Sequence, residues 1–166
     1  MIARVTRAKS GISEYLLNGV KKDSIYTRSE KDKVIPMYGN LEILKQTEEY
    51  LNKTKNYKDN YLHITISYSK EDINKMDNMN DDKIAEMKRD IILTYIKHHT
   101  SGYDLENEVI AYAETHKPKI KQENNKDRYE HEHIIIALYN PLNDTKLQTT
   151  FYNNSYIDDT LQAYIN

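Results

Sequence analysis

The chain has 166 residues, 38% hydrophobic and 30% charged, a balance that suits a folded domain and excludes a membrane-embedded or disordered chain. Its length fits one domain with a substantial core, and 24 basic against 26 acidic residues give a formal charge of −2 that selects no partner by itself. The absence of cysteine excludes disulfides and thiolate metal sites, so any metal must be held by His, Asp or Glu.

No apolar leader opens the sequence at Met1 to Arg7, and no apolar run approaches the roughly 20 residues of a membrane span. A cytoplasmic protein without a membrane partner is expected. Ile2 to Arg7 alternates in polarity and predicts a first strand. Ser10 or Ser13 is placed to cap a short helix through Ile12, Tyr15, Leu16 and Leu17, which Asn18-Gly19 ends. Val20 to Asn40, containing Pro36 and Gly39, reads as a long mobile loop suited to an extended ligand. The spacing of Leu41, Leu44, Glu48 and Leu51 predicts a helix over Leu41 to Lys53.

Tyr61 to Tyr68 alternates strictly, with Leu62, Ile64 and Ile66 on one face and His63, Thr65 and Ser67 on the other. Asp81 to His99 carries a stripe of Ile84, Met87, Ile91, Ile92, Tyr95 and Ile96 and is the clearest helix, stopped by Ser101-Gly102. Glu108 to Thr115 predicts another strand, leading through His116-Lys117-Pro118 into a basic, mobile stretch from Lys119 to Arg128. A strand from about Arg128 to Tyr139 follows, then a turn at Asn140 to Asp144, a partner strand near Lys146 to Tyr152, and a helix beginning at Tyr156 to Ile165. The order predicts a single α/β (α+β) domain over residues 1–166, with a central, mainly antiparallel five-stranded sheet and helices over one face.

The chemistry concentrates in His131-Glu132-His133-Ile134-Ile135-Ile136. On a strand, positions i and i+2 share a face, so His131 and His133 project together and can reach one metal ion, while Glu132 points to the helical side and needs a cationic or hydrogen-bonding partner. His116, at the end of the preceding strand, is positioned to complete an open three-imidazole site. Nitrogen donors suit Mn, Zn, Co, Ni or Cu better than Mg, which prefers oxygen; a divalent ion, one of Mn, Mg, Zn, Co or Ni, is the expected cofactor. The basic residues cluster: Arg4, Arg7, Lys9, Lys21, Lys22 and Arg28 early in the chain, Lys117, Lys119, Lys121 and Arg128 just before the histidine pair. They are candidates for contacts to a nucleic-acid backbone. Fifteen tyrosines against one phenylalanine add potential stacking surfaces.

Three segments resemble those of DNA relaxases, the conjugative mobilisation enzymes of the His-hydrophobe-His (HUH) endonuclease superfamily. They are Ser10-Gly11-Ile12-Ser13-Glu14-Tyr15-Leu16, Tyr112-Ala113-Glu114-Thr115-His116 with Lys117-Pro118-Lys119-Ile120-Lys121, and His131 to Ile136. In that family the tyrosine precedes the histidine pair, as here. The resemblance implies an HUH relaxase-like fold and a metal-dependent nicking reaction on single-stranded DNA at an origin of transfer. Tyr15 would be the nucleophile, with Tyr26 in reserve, and His116, His131 and His133 the metal ligands, with His63 as an alternative third ligand. Glu114 would accept a hydrogen bond from a ligand imidazole.

The resemblance further implies accessory relaxosome and secretion-system partners, and a catalytic domain cut off at its C-terminus from a longer protein. The chain departs from the family in carrying Glu132 between the paired histidines and in a long gap from His116 to His131. Alternatives are a rolling-circle replication initiator using Tyr152, Tyr156 or Tyr164, or a noncatalytic nucleic-acid-binding module.

Overall fold

In a computed structural model of the chain, residues 1–19 and 26–149 are described. The elements run β1 (Ile2–Ala8), α1 (Ile12–Asn18), α2 (Arg28–Lys31), β2 (Asp32–Gly39), α3 (Leu41–Thr54), β3 (Tyr61–Ser67), α4 (Lys70–Met76), α5 (Asp81–His99), β4 (Ala111–Pro118), β5 (Gln122–Glu123), β6 (Lys126–Asp127) and β7 (His131–Ala137). Five strands form one sheet in the order β1-β3-β7-β4-β2, and every neighbouring pair is antiparallel. The expected five-stranded antiparallel sheet is therefore present, with the histidine strand at its centre.

The fifth strand is not the one expected. It is β2, inside the stretch read as a loop; it pairs with β4 from Asp32↔Pro118 to Gly39↔Tyr112. Pro36 argued against a strand, but β2 is an edge strand, where a missing N–H is tolerated, and the register shifts between Pro36 and Tyr38. Gly39 ends the strand with φ +71°, and a Cβ there would stand 2.0 Å from the Ala111 carbonyl oxygen. Among the described residues, no strand follows the turn at Asn140: an isolated bridge joins Asn140 to Thr145, and Leu147 N–H reaches Leu138 C=O at 3.2 Å. Residues 150–152 of the expected partner strand, and the expected terminal helix, lie outside the described residues.

Two further segments carry structure that the sequence pattern does not announce. The stretch expected to be mobile after Pro118 forms the β5–β6 hairpin, turned by Asn124 and Asn125 at positive φ. The short α4, unassigned from sequence, starts on a reciprocal cap between Ser69 and Asp72.

The sheet has two unlike faces. On one, Leu62, Ile64, Ile66, Ile134 and Ile136 pack with Met76, Ile92, Tyr95 and Ile96 from α4 and α5. On the other, Tyr61, Tyr112, Ile135 and Ala137 pack at one end with Ile12 and Leu16 of α1 and Leu44 of α3. Moving two residues back along β7 on that same face, Ile135 gives way to His133 and then His131. The second face is thus half core and half chemistry, and α1 lies at the boundary.

Candidate metal centre and its tyrosine

Register alone brings the imidazoles together. His133 lies opposite Thr65 on β3 and Glu114 on β4, and His131 opposite Ser67 and His116. The ring centroids of His116, His131 and His133 stand 4.6–5.1 Å apart. One nitrogen from each lies within 4.8 Å of the others, a group that could hold a metal ion. His63 does not belong to that group; its Nε2 lies 2.8 Å from His133 Nδ1, behind the ligand.

Each imidazole also has the companion that metal ligands characteristically have on their other nitrogen. Arg28 can only donate, so its contact to His116 Nδ1 at 3.0 Å makes Nδ1 an acceptor and leaves the proton on Nε2, which donates to Glu114 Oε1 at 2.6 Å. His131 donates through Nδ1 to the Tyr129 carbonyl at 3.2 Å, leaving the Nε2 lone pair available. His133 Nδ1 is engaged by His63, while its buried Nε2 has no hydrogen-bond partner. A buried imidazole nitrogen without a partner is costly, and a bound cation would satisfy it. The residues fit a metal.

The electrostatics agree. Burial pushes His131 down to about 4, with the Tyr129 carbonyl opposing the shift, and His63 down to about 4. His133 is pushed far lower, by burial first and then by the imidazoles around it. These rings stay neutral, the form that binds metal. Glu114 is buried and accepts both the His116 ring and, at 2.8 Å, the Tyr112 hydroxyl. Glu114 is thus in hydrogen-bond contact with the His116 ring.

Tyr15 arrives on α1. That helix has no side-chain cap of its own, and neither Ser10 nor Ser13 caps it as expected; Gly11 occupies the N-cap. Glu48 of α3 takes over, accepting from the backbone N–H groups of Gly11 and Ser13 and from the Ser13 hydroxyl. A buried carboxylate there satisfies orphan donors and complements the helix dipole. The Tyr15 ring meets His133 edge-on at 5.7 Å between centroids and His63 at 6.4 Å. Tyr26 is 38% exposed, whereas the Tyr15 ring is half-buried against the histidines.

No family model matches this sequence, and comparisons with curated proteins and with solved structures find no match.

The basic residues grouped by sequence are scattered by the fold. Arg28 enters the site: besides His116, it donates to the Tyr15 carbonyl at 3.1 Å and lies 4.9 Å over the Tyr15 ring. Arg4 is exposed on the histidine face, opposite Thr65. Arg7 faces the other way and donates to Thr149, and Lys117 pairs with Glu130 on the α5 side. Lys119 donates to the Ser29 carbonyl, while Lys9 and Lys121 are exposed. Arg128 binds Asp32 at 2.7 Å. Lys21 and Lys22 lie outside the described residues, as do Tyr152, Tyr156 and Tyr164.

Asp32 was missed because it sits in the stretch read as a loop. It is buried, 4.0 Å from His116 Nδ1, and is held by Arg128 and, at 3.4 Å, by Arg28. Glu132 has the partners it needed: the Tyr68 hydroxyl at 2.8 Å and Lys88 Nζ at 3.7 Å. Burial still pushes Glu132 up to about 7, with Lys88 and Tyr68 pulling the other way.

Proposed function

We propose that this chain is a relaxase-type endonuclease that nicks single-stranded DNA at an origin of transfer and can reseal it. The observation that carries the reading is the contact between Tyr15 and His133, which puts a phenol beside three imidazoles able to share one ion. His116, His131 and His133 would hold a divalent metal, which when bound polarises the nonbridging oxygens of a phosphodiester.

The chain's own residues do the rest. The Tyr15 oxygen attacks phosphorus, a 5′-phosphotyrosine bond forms and the bond to the 3′ oxygen breaks. The phenol gives up its proton, and the 3′ oxygen leaves as a hydroxyl. One phosphoester replaces another, so the reverse reaction needs no external energy. Glu114 and His63 hold the ligand rings in orientation, and Glu48 fixes the helix that carries the nucleophile. DNA held over the histidine face would meet the exposed Arg4.

Incubation with Mn²⁺ and single-stranded DNA carrying a candidate origin, followed by denaturing electrophoresis, tests this. Wild-type protein and Tyr26→Phe should retain a covalent adduct, and Tyr15→Phe should lose it. DNA that is bound but never covalently joined would instead indicate a noncatalytic binding module, and an adduct on Tyr156 a replication initiator.

A further inference from the structure

Arg28 stands in an unusual place for an arginine. Its guanidinium lies against a cluster of neutral imidazoles that could hold a cation, with NH1 3.0 Å from His116 Nδ1. That nitrogen is the one His116 has to offer, because Nε2 is committed to Glu114. A metal binds imidazole at about 2.0–2.1 Å along the lone pair, inside the 3.0 Å now separating Nδ1 from the guanidinium nitrogen. The lone pair serves one or the other.

We propose that Arg28 is an internal competitor for the metal: metal loading requires the guanidinium to leave His116, and its departure is felt directly at the carbonyl and ring of Tyr15. The inference rests on the metal reading of the three-histidine group and is independent of the nicking chemistry.

Three features support an arginine that exchanges. A guanidinium keeps its charge at any pH the protein meets, so the conflict with a cation is relieved only by movement. Its Nε is buried without a hydrogen-bond partner, so the present position leaves it incompletely satisfied. Asp32, which Arg28 partly neutralises, keeps Arg128 at 2.7 Å when Arg28 moves, so no buried carboxylate is left bare.

The coupling to α1 is short. The Tyr15 carbonyl accepts from Arg28 NH2 at 3.1 Å and from the Gly19 N–H at 2.9 Å. Gly19 leaves the room for this: a Cβ there would lie 2.3 Å from Arg28 Nε. The Gly19 amide therefore reports on where Arg28 is.

The test is titration of the purified chain with Zn²⁺, without DNA, by calorimetry and by ¹⁵N–¹H correlation spectra. Arg28→Met, which keeps bulk without donors, should bind Zn²⁺ at least about tenfold more tightly than wild type. Arg28→Lys, whose single ammonium cannot span Tyr15 and His116 together, should also bind more tightly. In wild type the Gly19 amide should shift on Zn²⁺ addition; in Arg28→Met it should already sit apart from its wild-type position and barely respond. Equal or weaker Zn²⁺ affinity in both variants would overturn the competition while leaving the metal site intact. Absence of Zn²⁺ binding to wild type and variants alike would overturn the metal reading and this inference with it. Circular dichroism establishes that Arg28→Met is folded; if it is not, Arg28→Lys decides.

Discussion

His116 sits between two groups that can each take only one role: an arginine that must donate and a carboxylate that accepts. Together they fix the tautomer of a buried ring, a property that no sequence spacing reveals. Glu114 thus does for His116 what the Tyr129 carbonyl does for His131 and His63 for His133. Replacing such a partner typically costs 10–100-fold in metal affinity. Glu114→Gln should accordingly weaken Zn²⁺ or Co²⁺ binding by about one to two orders of magnitude while leaving the circular dichroism spectrum unchanged, because the amide preserves shape and can still engage the Tyr112 hydroxyl. At this scale much was legible. His131 and His133 share a strand face by periodicity, and the turn of Glu132 toward the helical side and a cationic partner follows from the same alternation. Asp32 was not legible as a site residue, and Arg28 only as a basic residue for a nucleic-acid backbone, since their places beside His116 depend on the β2–β4 pairing, far apart in sequence.

At the scale of the element, α1 is too short to be stable by itself. It is a seven-residue helix whose N-terminal donors are satisfied by Glu48 from α3 rather than by its own serines. Sequence periodicity identified Glu48 as part of a helical face but not as the anchor of another helix, a contact made across |i−j| of 35–37 residues. Glu48→Ala would strand those donors in a buried setting, at a cost of about 1–3 kcal/mol. Urea unfolding should show that loss, and proteolysis should find α1 the first element to open. The metal affinity, set on β4 and β7, should change little.

The same scale explains the misread strand. Helix Asp81–His99 came through with both ends because its caps and stripe are local, whereas β2 is held by its partner β4 against the local signal of Pro36. The start of α4 was local too, in the Ser69–Asp72 spacing, and could have been read.

Across the whole molecule, one central sheet separates a greasy face from a chemical one, and three of the six histidines, His99, His116 and His133, are buried, with His63 and His131 partly so. Burying neutral imidazole has a pH signature. His63 and His131 sit near 4 when folded, and His133 lower, against about 6.5 when unfolded. Between those values the unfolded chain binds more protons, so stability is fully present above about pH 6.5 and is lost as the pH falls toward 4, by up to about 1.4 kcal/mol per pH unit for each ring. Glu132, raised to about 7, acts in the opposite sense above its unfolded value of about 4.3, and is outnumbered. With a chelator present, the urea midpoint should therefore be lower at pH 5 than at pH 7; an equal or higher midpoint at pH 5 would show that the rings are not buried neutral.

The central claim is that three imidazoles share one ion next to Tyr15. Anomalous diffraction from crystals grown with Co²⁺ tests it most directly. The account predicts a peak bounded by His116 Nδ1, His131 Nε2 and His133 Nε2, with the Tyr15 ring against the same cluster. A cobalt ion bound elsewhere, or a Tyr15 ring turned away from an occupied site, would contradict it.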